Sequence, residues 1–330
     1  MTEPLLTIRD LRVAFATPAG LVRAVDGVTL EVRQGECLGI VGESGSGKSV
    51  TFTSVMGLIR PPGHIDGGSI RFGKRELVGL GPTAYRALRG REIAMTLQDA
   101  QTALNPALTV GTQIIEVLLA HSDGLPSGRS TRHRAARDRA IEMMRLVGIP
   151  VPEQRLGNYP HQFSGGMQQR MMIAIALACR PRLLIADEPT TALDVTIQAQ
   201  VLELIASIRA TLRMSVVLIT HDLGVVAEYC DRVAVMCAGQ LVEVGPTADV
   251  IAAPSHPYTV GLLRSVPSLA EPERRIHPIV GQVPDLMDLP TGCRFLPRCP
   301  LAVEQCRAVV PVHAMDGGRV VRCVRAGEAA

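Results

Sequence analysis

The residues whose types and spacing indicate chemistry most clearly form a glycine-rich segment. Residues 42–49 (GESGSGKS) fit the pattern G-x-x-x-x-G-K-[ST], and they lie between a short apolar run and a helical pattern. Glycines let the backbone curl around an anion, so that its N–H groups and the dipole of the following helix face phosphate oxygens. Lys48 can then reach the β- and γ-phosphates, and Ser49 can ligate magnesium. The segment predicts a site for a nucleoside triphosphate.

A second segment supplies the acidic groups that a magnesium nucleotide needs. Residues 183–186 are apolar, as in a buried strand, and Asp187 and Glu188 follow directly. Asp187 suits a magnesium ligand, and Glu188 can orient or deprotonate the water that attacks the γ-phosphate. Two acids after a strand are by themselves common in ordinary turns. The phosphate loop is what favours the chemical interpretation.

A third segment, just ahead of that strand, is a second candidate anion site. It consists of residues 163–170 (FSGGMQQR), in which Ser164 can cap the following helix while Gly165 and Gly166 leave its first N–H groups open. One helix terminus is enough for one ATP. A second one, about 120 residues further along the chain, suggests that two such domains face each other and share nucleotides. Taken alone, an ordinary capped helix explains these residues equally well.

Together these segments resemble the ATP-binding subunits of ABC transporters, over about residues 5–253. Residues 164–167 resemble the ABC signature, residues 187–190 resemble Walker B, and Asp194 lies in a segment similar to the D-loop. The resemblance implies an α/β fold of the P-loop NTPase class. Its parts would be a RecA-like core, an antiparallel β-subdomain and a helical subdomain at about residues 100–180.

The resemblance also implies roles for single residues. Gln98 lies at the position of the Q-loop, and His221, after an apolar strand, matches the switch histidine. Phe15 lies where an aromatic residue stacks on adenine, although a core residue would look the same. The implied catalytic residues are Glu188, His221 and Gln98, and the implied magnesium ligands are Ser49, Gln98 and Asp187. The implied ATP-binding residues are Phe15, Ser44, Gly45, Ser46, Gly47, Lys48, Ser49 and Val50, with Ser164, Gly165 and Gly166 acting in trans.

Four further segments resemble one subfamily, the importers of oligopeptides and dipeptides. They are residues 95–106, 161–167, 256–259 and 292–300, and the first departs from the subfamily at Ala100, where proline is usual. The resemblance implies an ATPase that energises peptide import. Its partners would be a second ABC ATPase subunit, either a related chain or a second copy, two transmembrane permease subunits and, indirectly, an extracytoplasmic peptide-binding protein.

Two other functions are compatible with the same motifs. One is a soluble ABC ATPase with a non-transport role, such as iron–sulfur assembly, which the segment at 256–259 and the late cysteines disfavour. The other is a phosphate-loop kinase outside the ABC class, but that function leaves residues 164–167 and His221 unexplained.

Four of the eight cysteines crowd the last 38 residues. Cys293, Cys299, Cys306 and Cys323 follow C-x5-C-x6-C-x16-C, a spacing that leaves zinc and iron–sulfur both open. The Pro-rich segment around them has too little apolar surface to fold unaided, so a metal centre would supply the missing free energy. The resemblance to peptide-importer ATPases favours a [4Fe–4S] cluster, with zinc as the alternative.

The elements that must position these residues can be read from periodicity. Alternation predicts strands at residues 5–15 and 21–32, and apolar runs predict strands at 36–41, 183–186 and 216–220. Helical patterns cover residues 47–58 and about 102–160, in which the charged stretch 129–145 is typical of a solvated helix face. Beyond residue 253, closely spaced prolines exclude long helices and central strands. We expect an ATPase domain at residues 1–255 and a C-terminal extension at 256–330.

Composition limits the class of protein. The 330 residues are 47% apolar, 20% charged and 3% aromatic, which excludes a disordered or fibrous chain and implies an aliphatic core. A net charge of +3 and the absence of Trp disfavour nucleic-acid binding. The most apolar run, residues 171–179, is about half of what a bilayer requires, and residues 1–4 (MTEP) have neither the basic nor the apolar region that is typical of a signal peptide. We expect a peripheral protein on the cytoplasmic face of the plasma or inner membrane.

Overall fold

The structure is a computed structural model that describes residues 3–121, 125–191, 193–265, 277–326 and 328, apart from the side chains of residues 100 and 101. The strands are β1 (Leu6–Thr17), β2 (Gly20–Val32), β3 (Cys37–Val41), β4 (Gly63–Phe72), β5 (Arg75–Glu76), β6 (Ile93–Thr96), β7 (Leu183–Asp187), β8 (Ser215–Ile219), β9 (Arg232–Cys237), β10 (Gln240–Pro246), β11 (His313–Met315) and β12 (Arg319–Val321). The helices are α1 (Lys48–Val55), α2 (Pro82–Leu88), α3 (Ala100–Ala103), α4 (Val110–Ala120), α5 (Arg129–Leu146), α6 (Pro152–Arg155), α7 (Gly165–Leu177), α8 (Val195–Leu212), α9 (Leu223–Tyr229), α10 (Thr247–Ala252) and α11 (Pro257–Ser265).

The chain forms two compact units. The first contains the described residues of Met1–Leu80 and Leu218–Ala330, and the second contains those of Gly81–Val217. Strand β8 crosses the boundary between them along the chain. These two units do not correspond to the domain boundary at residue 255 that the sequence suggested, and that boundary stays a prediction.

The first unit contains an antiparallel sheet in the order β2-β1-β4-β5. In a second sheet, β3 pairs with β9 in parallel, and β9, β10, β12 and β11 continue antiparallel. Every residue of β3 is buried, as expected for a strand that is covered on both faces. This strand ends at Val41, directly before the phosphate loop, and α1 begins at Lys48. The strand–loop–helix unit predicted from the sequence is therefore confirmed.

The second unit is mainly helical and contains the parallel pair β6 and β7, in which Ile93 lies beside Leu183. Helix α7 packs against α4, α5 and α8 through an aliphatic face that includes Met171, Ile173 and Leu177. Helix α5 buries only small and apolar residues, and most of its arginines are exposed. The interpretation of stretch 129–145 as a solvated helix face is confirmed.

The C-terminal residues differ from the expectation in one respect. Strand β12 pairs with β10 on one side and β11 on the other, although no central strand was expected beyond residue 253. The physical reason is that β12 follows the last proline, Pro311, so each of its residues keeps its N–H group. Among the described residues, none of the helices is both long and apolar enough to cross a bilayer.

Candidate nucleotide site and cysteine cavity

The phosphate loop depends on glycine at its two ends. Gly42 has φ of +151°, and a Cβ there would lie 2.2 Å from the carbonyl oxygen of Met236. Gly47 has φ of +96°, and its Cβ would lie 2.4 Å from the carbonyl oxygen of Ala24. Both the backbone conformation and the close approach therefore require glycine. The sequence pattern predicted this turn correctly.

Lys48 is buried at the centre of the loop. Its Nζ donates to the carbonyl oxygens of Gly42 at 2.7 Å and Glu43 at 2.9 Å, and to Oγ of Ser46 at 3.4 Å. The ammonium group is thus held over the loop that the motif predicts to bind phosphate. At the rim, side chains or backbone remain exposed at Ser44, Gly45 and Ser49, with Val50 half-buried behind them.

The acidic pair lies at the end of β7. Asp187 is buried as the last residue of that strand, and Glu188 follows with φ of +44°, a conformation that costs free energy in a non-glycine residue. Oε2 of Glu188 accepts hydrogen bonds from Nε2 of Gln98 at 2.8 Å and Oγ1 of Thr191 at 2.9 Å. The structure thereby brings together two predicted residues, and it adds Thr191, which no sequence motif singled out.

The segment that resembles the ABC signature opens α7. Ser164 and Gly165 are exposed, and a Cβ on Gly166 would lie 2.8 Å from Cγ2 of Ile197, so glycine lets α7 approach α8 closely. The prediction that the Ser164 side chain caps α7 is wrong, because that side chain makes no capping hydrogen bond. Ser164 occupies the N-cap position as an exposed residue. Asp194 does cap its helix, α8, by accepting from the N–H of Ile197 at 2.9 Å.

His221 and Phe15 lie in the first unit, as does the phosphate loop. The N–H of Thr220 donates to the carbonyl oxygen of Ile40 at 3.1 Å, so the exposed His221 lies beside the end of β3, where the phosphate loop begins. Phe15 is half-buried on β1, and its ring covers Gly63 on β4. This position leaves part of the ring open, and the stacking of Phe15 on adenine stays a prediction.

The four late cysteines line one small cavity together with His256. Its volume is about 10 Å³, roughly the room that one water molecule needs. The N–H of Cys293 donates to the carbonyl oxygen of Cys306 at 2.8 Å, and a Cβ on Gly292 would lie 2.0 Å from that same oxygen. Glycine at 292 therefore permits the approach of the two cysteine segments.

Burial favours the thiol form of three of these cysteines. Burial raises the pKa of Cys293 to about 11, and burial also raises the pKa of Cys299 and Cys323. His256 is neutral because burial lowers its pKa to about 3. Among the described residues, no group of three or more His, Cys, Asp or Glu side chains is arranged to hold a single metal ion.

Comparisons with known proteins agree with this geometry. The family described as ABC transporter matches residues 25–191, and the family described as oligopeptide/dipeptide transporter, C-terminal region, matches residues 242–306. A dimeric ATP-binding cassette, MJ0796 bound to ADP and Pi, has a TM-score of 0.64 and 26% identity. It covers 73% of this chain, and 98% of its own chain is covered. The fold and the phosphate loop thus define an ABC-type ATPase, which confirms the predicted fold class.

The curated relatives narrow the family. The dipeptide transport ATP-binding protein DppD of Haemophilus influenzae is 51% identical over 97% of this chain and 94% of its own length. The oligopeptide transport ATP-binding protein OppD of Salmonella typhimurium is 47% identical over 97% of this chain and 93% of its own length. The chain belongs to the ATP-binding subunits of the ABC transporters for dipeptides and oligopeptides.

Proposed function

We propose that the chain binds MgATP at the phosphate loop and hydrolyses it to energise the import of dipeptides or oligopeptides. The observation that carries this proposal is that Lys48 is buried inside a loop whose backbone conformation leaves no room for a Cβ at Gly42 or Gly47. The names of the relatives, which are dipeptide and oligopeptide transport ATP-binding proteins, support the peptide cargo. They also disfavour the non-transport alternative.

The residues take the following roles in this proposal. Lys48 binds the β- and γ-phosphates, and the backbone N–H groups of residues 44–50 surround them. Ser49, Gln98 and Asp187 offer the oxygen ligands that magnesium prefers, and the bound ion would neutralise phosphate charge. Glu188 polarises the attacking water and receives its proton, while Gln98 and Thr191 hold the Glu188 carboxylate in place. His221 contacts the γ-phosphate, and Phe15 stacks on adenine.

The proposal includes a second ATPase domain. Ser164 and Gly165 are exposed at the start of α7, and Gly166 follows, so these residues are open to the phosphates of a nucleotide held by a partner chain. The MJ0796 cassette, whose fold is similar, is dimeric in its structure with ADP and Pi. We infer that this chain pairs with a related chain or a second copy, on the cytoplasmic side of the membrane. There the pair would act on two permease subunits that receive peptide from a binding protein.

Substitution of Lys48 tests the ATP site. Lys48→Ala should lower the affinity for ATP at least ~10-fold, because each charge-assisted hydrogen bond to phosphate contributes about 1.5–3 kcal/mol. Titration of the full-length chain with a fluorescent ATP analogue measures this change. The matched control is Lys74→Ala, which removes the other lysine of the chain, an exposed one. Unchanged affinity in Lys48→Ala would contradict the assignment.

We also propose that Cys293, Cys299, Cys306 and Cys323 hold a [4Fe–4S] cluster. Four cysteines line one small cavity, and four is the number of cysteine ligands that such a cluster needs. Because the cavity is small, loading a cluster requires the cysteine segments to separate. The bound cluster would cross-link a segment that has little apolar core of its own.

The metal content of the purified chain tests this cluster. After anaerobic purification we expect about four iron atoms and four sulfides per chain, as the cluster formula requires, with absorption near 400 nm. Cys306→Ser should lose most of the iron, whereas Cys179→Ser, which changes a cysteine of the second unit, should retain it. Zinc without iron would decide for the alternative metal.

A further inference from the structure

The side chain of Glu43 lies at a position where phosphate chemistry does not call for an acid. Glu43 is the second residue of the loop at 42–49, a position that the pattern leaves variable. A carboxylate beside bound phosphates repels them, since like charges a few ångströms apart interact unfavourably. Glu43 therefore needs either solvent or a cation, and the C-terminal residues supply the cation.

That cation is Arg298. Its two terminal nitrogens each donate to one carboxylate oxygen of Glu43, both at 2.8 Å, and the Arg298 side chain is only 2% exposed. Such a bidentate pair fixes direction as well as distance. The guanidinium also lies over the rings of Tyr258, at 5.8 Å, and Phe295, at 5.2 Å. Burial opposes the charge of Arg298, but the bonds to Glu43 outweigh this effect and keep its pKa above the usual value.

Tyr258 holds the backbone of the same loop residue. Its hydroxyl accepts from the N–H of Glu43 at 2.9 Å, and the whole side chain is buried against Phe295. The carbonyl oxygen of Glu43 accepts from Nζ of Lys48 at 2.9 Å. Every polar group of Glu43 is thus engaged, and Glu43 joins the phosphate lysine to the C-terminal residues.

Further hydrogen bonds hold Tyr258 in place on the C-terminal side of this contact. The N–H of Tyr258 donates to Nδ1 of His256 at 3.0 Å, and the N–H of His256 donates to the buried carboxylate of Glu243 at 3.0 Å. Glu243 also accepts from Arg319 on β12 at 2.7 Å. Arg298 ends a short 3₁₀ turn, directly before Cys299. The residues that contact the loop are therefore linked, by hydrogen bonds or by direct neighbours in the chain, to the cysteine cavity and to β12.

We propose that Arg298 and Tyr258 are positioning residues for the nucleotide, which hold the phosphate loop in its binding conformation through Glu43. This inference rests on the proposed binding of ATP at that loop. It assigns the C-terminal residues a direct part in nucleotide affinity: the Arg298 charge neutralises the carboxylate, and the two bonds fix the loop that carries Lys48.

A set of matched variants in the full-length chain tests the inference. Arg298→Gln should raise the Kd for a fluorescent ATP analogue about tenfold, within the usual range of coupling between two sites. Tyr258→Phe, which keeps the ring, should raise it about threefold, because it loses one neutral hydrogen bond. Arg298→Lys should fall between wild type and Arg298→Gln, since it retains the charge without the bidentate geometry. Arg307→Gln is the control, because Arg307 is exposed in the same region.

Two features separate positioning from mere stability. A chain that is only less stable binds ATP at a lower stoichiometry with an unchanged Kd, whereas a misplaced loop raises the Kd at full stoichiometry. In addition, Glu43→Gln combined with Arg298→Gln should cost less affinity than the sum of the two single changes, because each removes the same contact.

The outcomes are distinct. If Lys48→Ala retains affinity, the ATP site itself is misassigned. If Lys48→Ala loses affinity while Arg298→Gln, Arg298→Lys and Tyr258→Phe all bind within twofold of wild type, the ATP site stands and the positioning role is overturned. Should Arg298→Gln not fold, Arg298→Lys and Tyr258→Phe decide the question.

Discussion

At the residue scale, short local motifs identify the candidate site. Lys48, Asp187 and Glu188 were predicted because each belongs to a short motif in which the chain itself sets the spacing. Their contacts could not be predicted in the same way. The pair of Glu43 and Arg298 joins positions 255 residues apart, and only the packing of the folded chain brings them together.

At the residue scale, substitution of Glu188 is expected to change the rate of ATP hydrolysis most. Glu188→Gln should lower kcat for ATP hydrolysis by about 10²- to 10⁴-fold, because a general base contributes that much, while ATP still binds. The amide keeps the size of the side chain and can still accept from Gln98. Steady-state hydrolysis and nucleotide binding are measured on the same preparation.

The control for this experiment is Glu203→Gln, which changes an exposed glutamate on α8. Near-normal turnover in Glu188→Gln would remove Glu188 from the role of base, whatever its contacts to Gln98 and Thr191.

Helices and strands were predictable where one period dominates. Alternation located β1 and β2, and continuous apolar runs located β3, β7 and β8, because a strand buried on both faces needs no polar residues. Other strands, among them β4, β6, β9 and β10, were not predicted, and two specific expectations were wrong. Ser164 was expected to cap α7, yet its side chain makes no capping bond. Strand β12 was hidden because it is only three residues long and follows a Pro-rich segment.

At this scale, Gly292 controls how closely two cysteine segments approach. Gly292→Ala should lower the free energy of unfolding by about 1–3 kcal/mol, because an added Cβ overpacks the contact with the carbonyl oxygen of Cys306. Denaturant titration measures the loss. Gly157→Ala is the control, since a Cβ there meets open space. A loss no larger than in that control would show that the cysteine segments are free to adjust.

At the scale of the whole molecule, the C-terminal residues are more closely joined to the phosphate loop than the sequence suggested. The expectation treated them as an extension that folds around metal. In the structure, β12 continues the sheet that contains β3, and Tyr258 and Arg298 contact the loop itself. In the sequence, the segments at 256–259 and 292–300 indicate only a resemblance to one subfamily. In the structure, one residue of each segment, Tyr258 and Arg298, contacts Glu43.

The central claim is that ATP hydrolysis by this chain energises peptide import, and one measurement tests it most directly. The chain is reconstituted with its ATPase partner and permease subunits in lipid vesicles, and uptake of a labelled dipeptide or oligopeptide is followed with the binding protein present. We expect accumulation against a gradient only with ATP, reduced to background by Glu188→Gln in this chain. Steady ATP hydrolysis without peptide uptake, or full uptake in the Glu188→Gln complex, would contradict the claim.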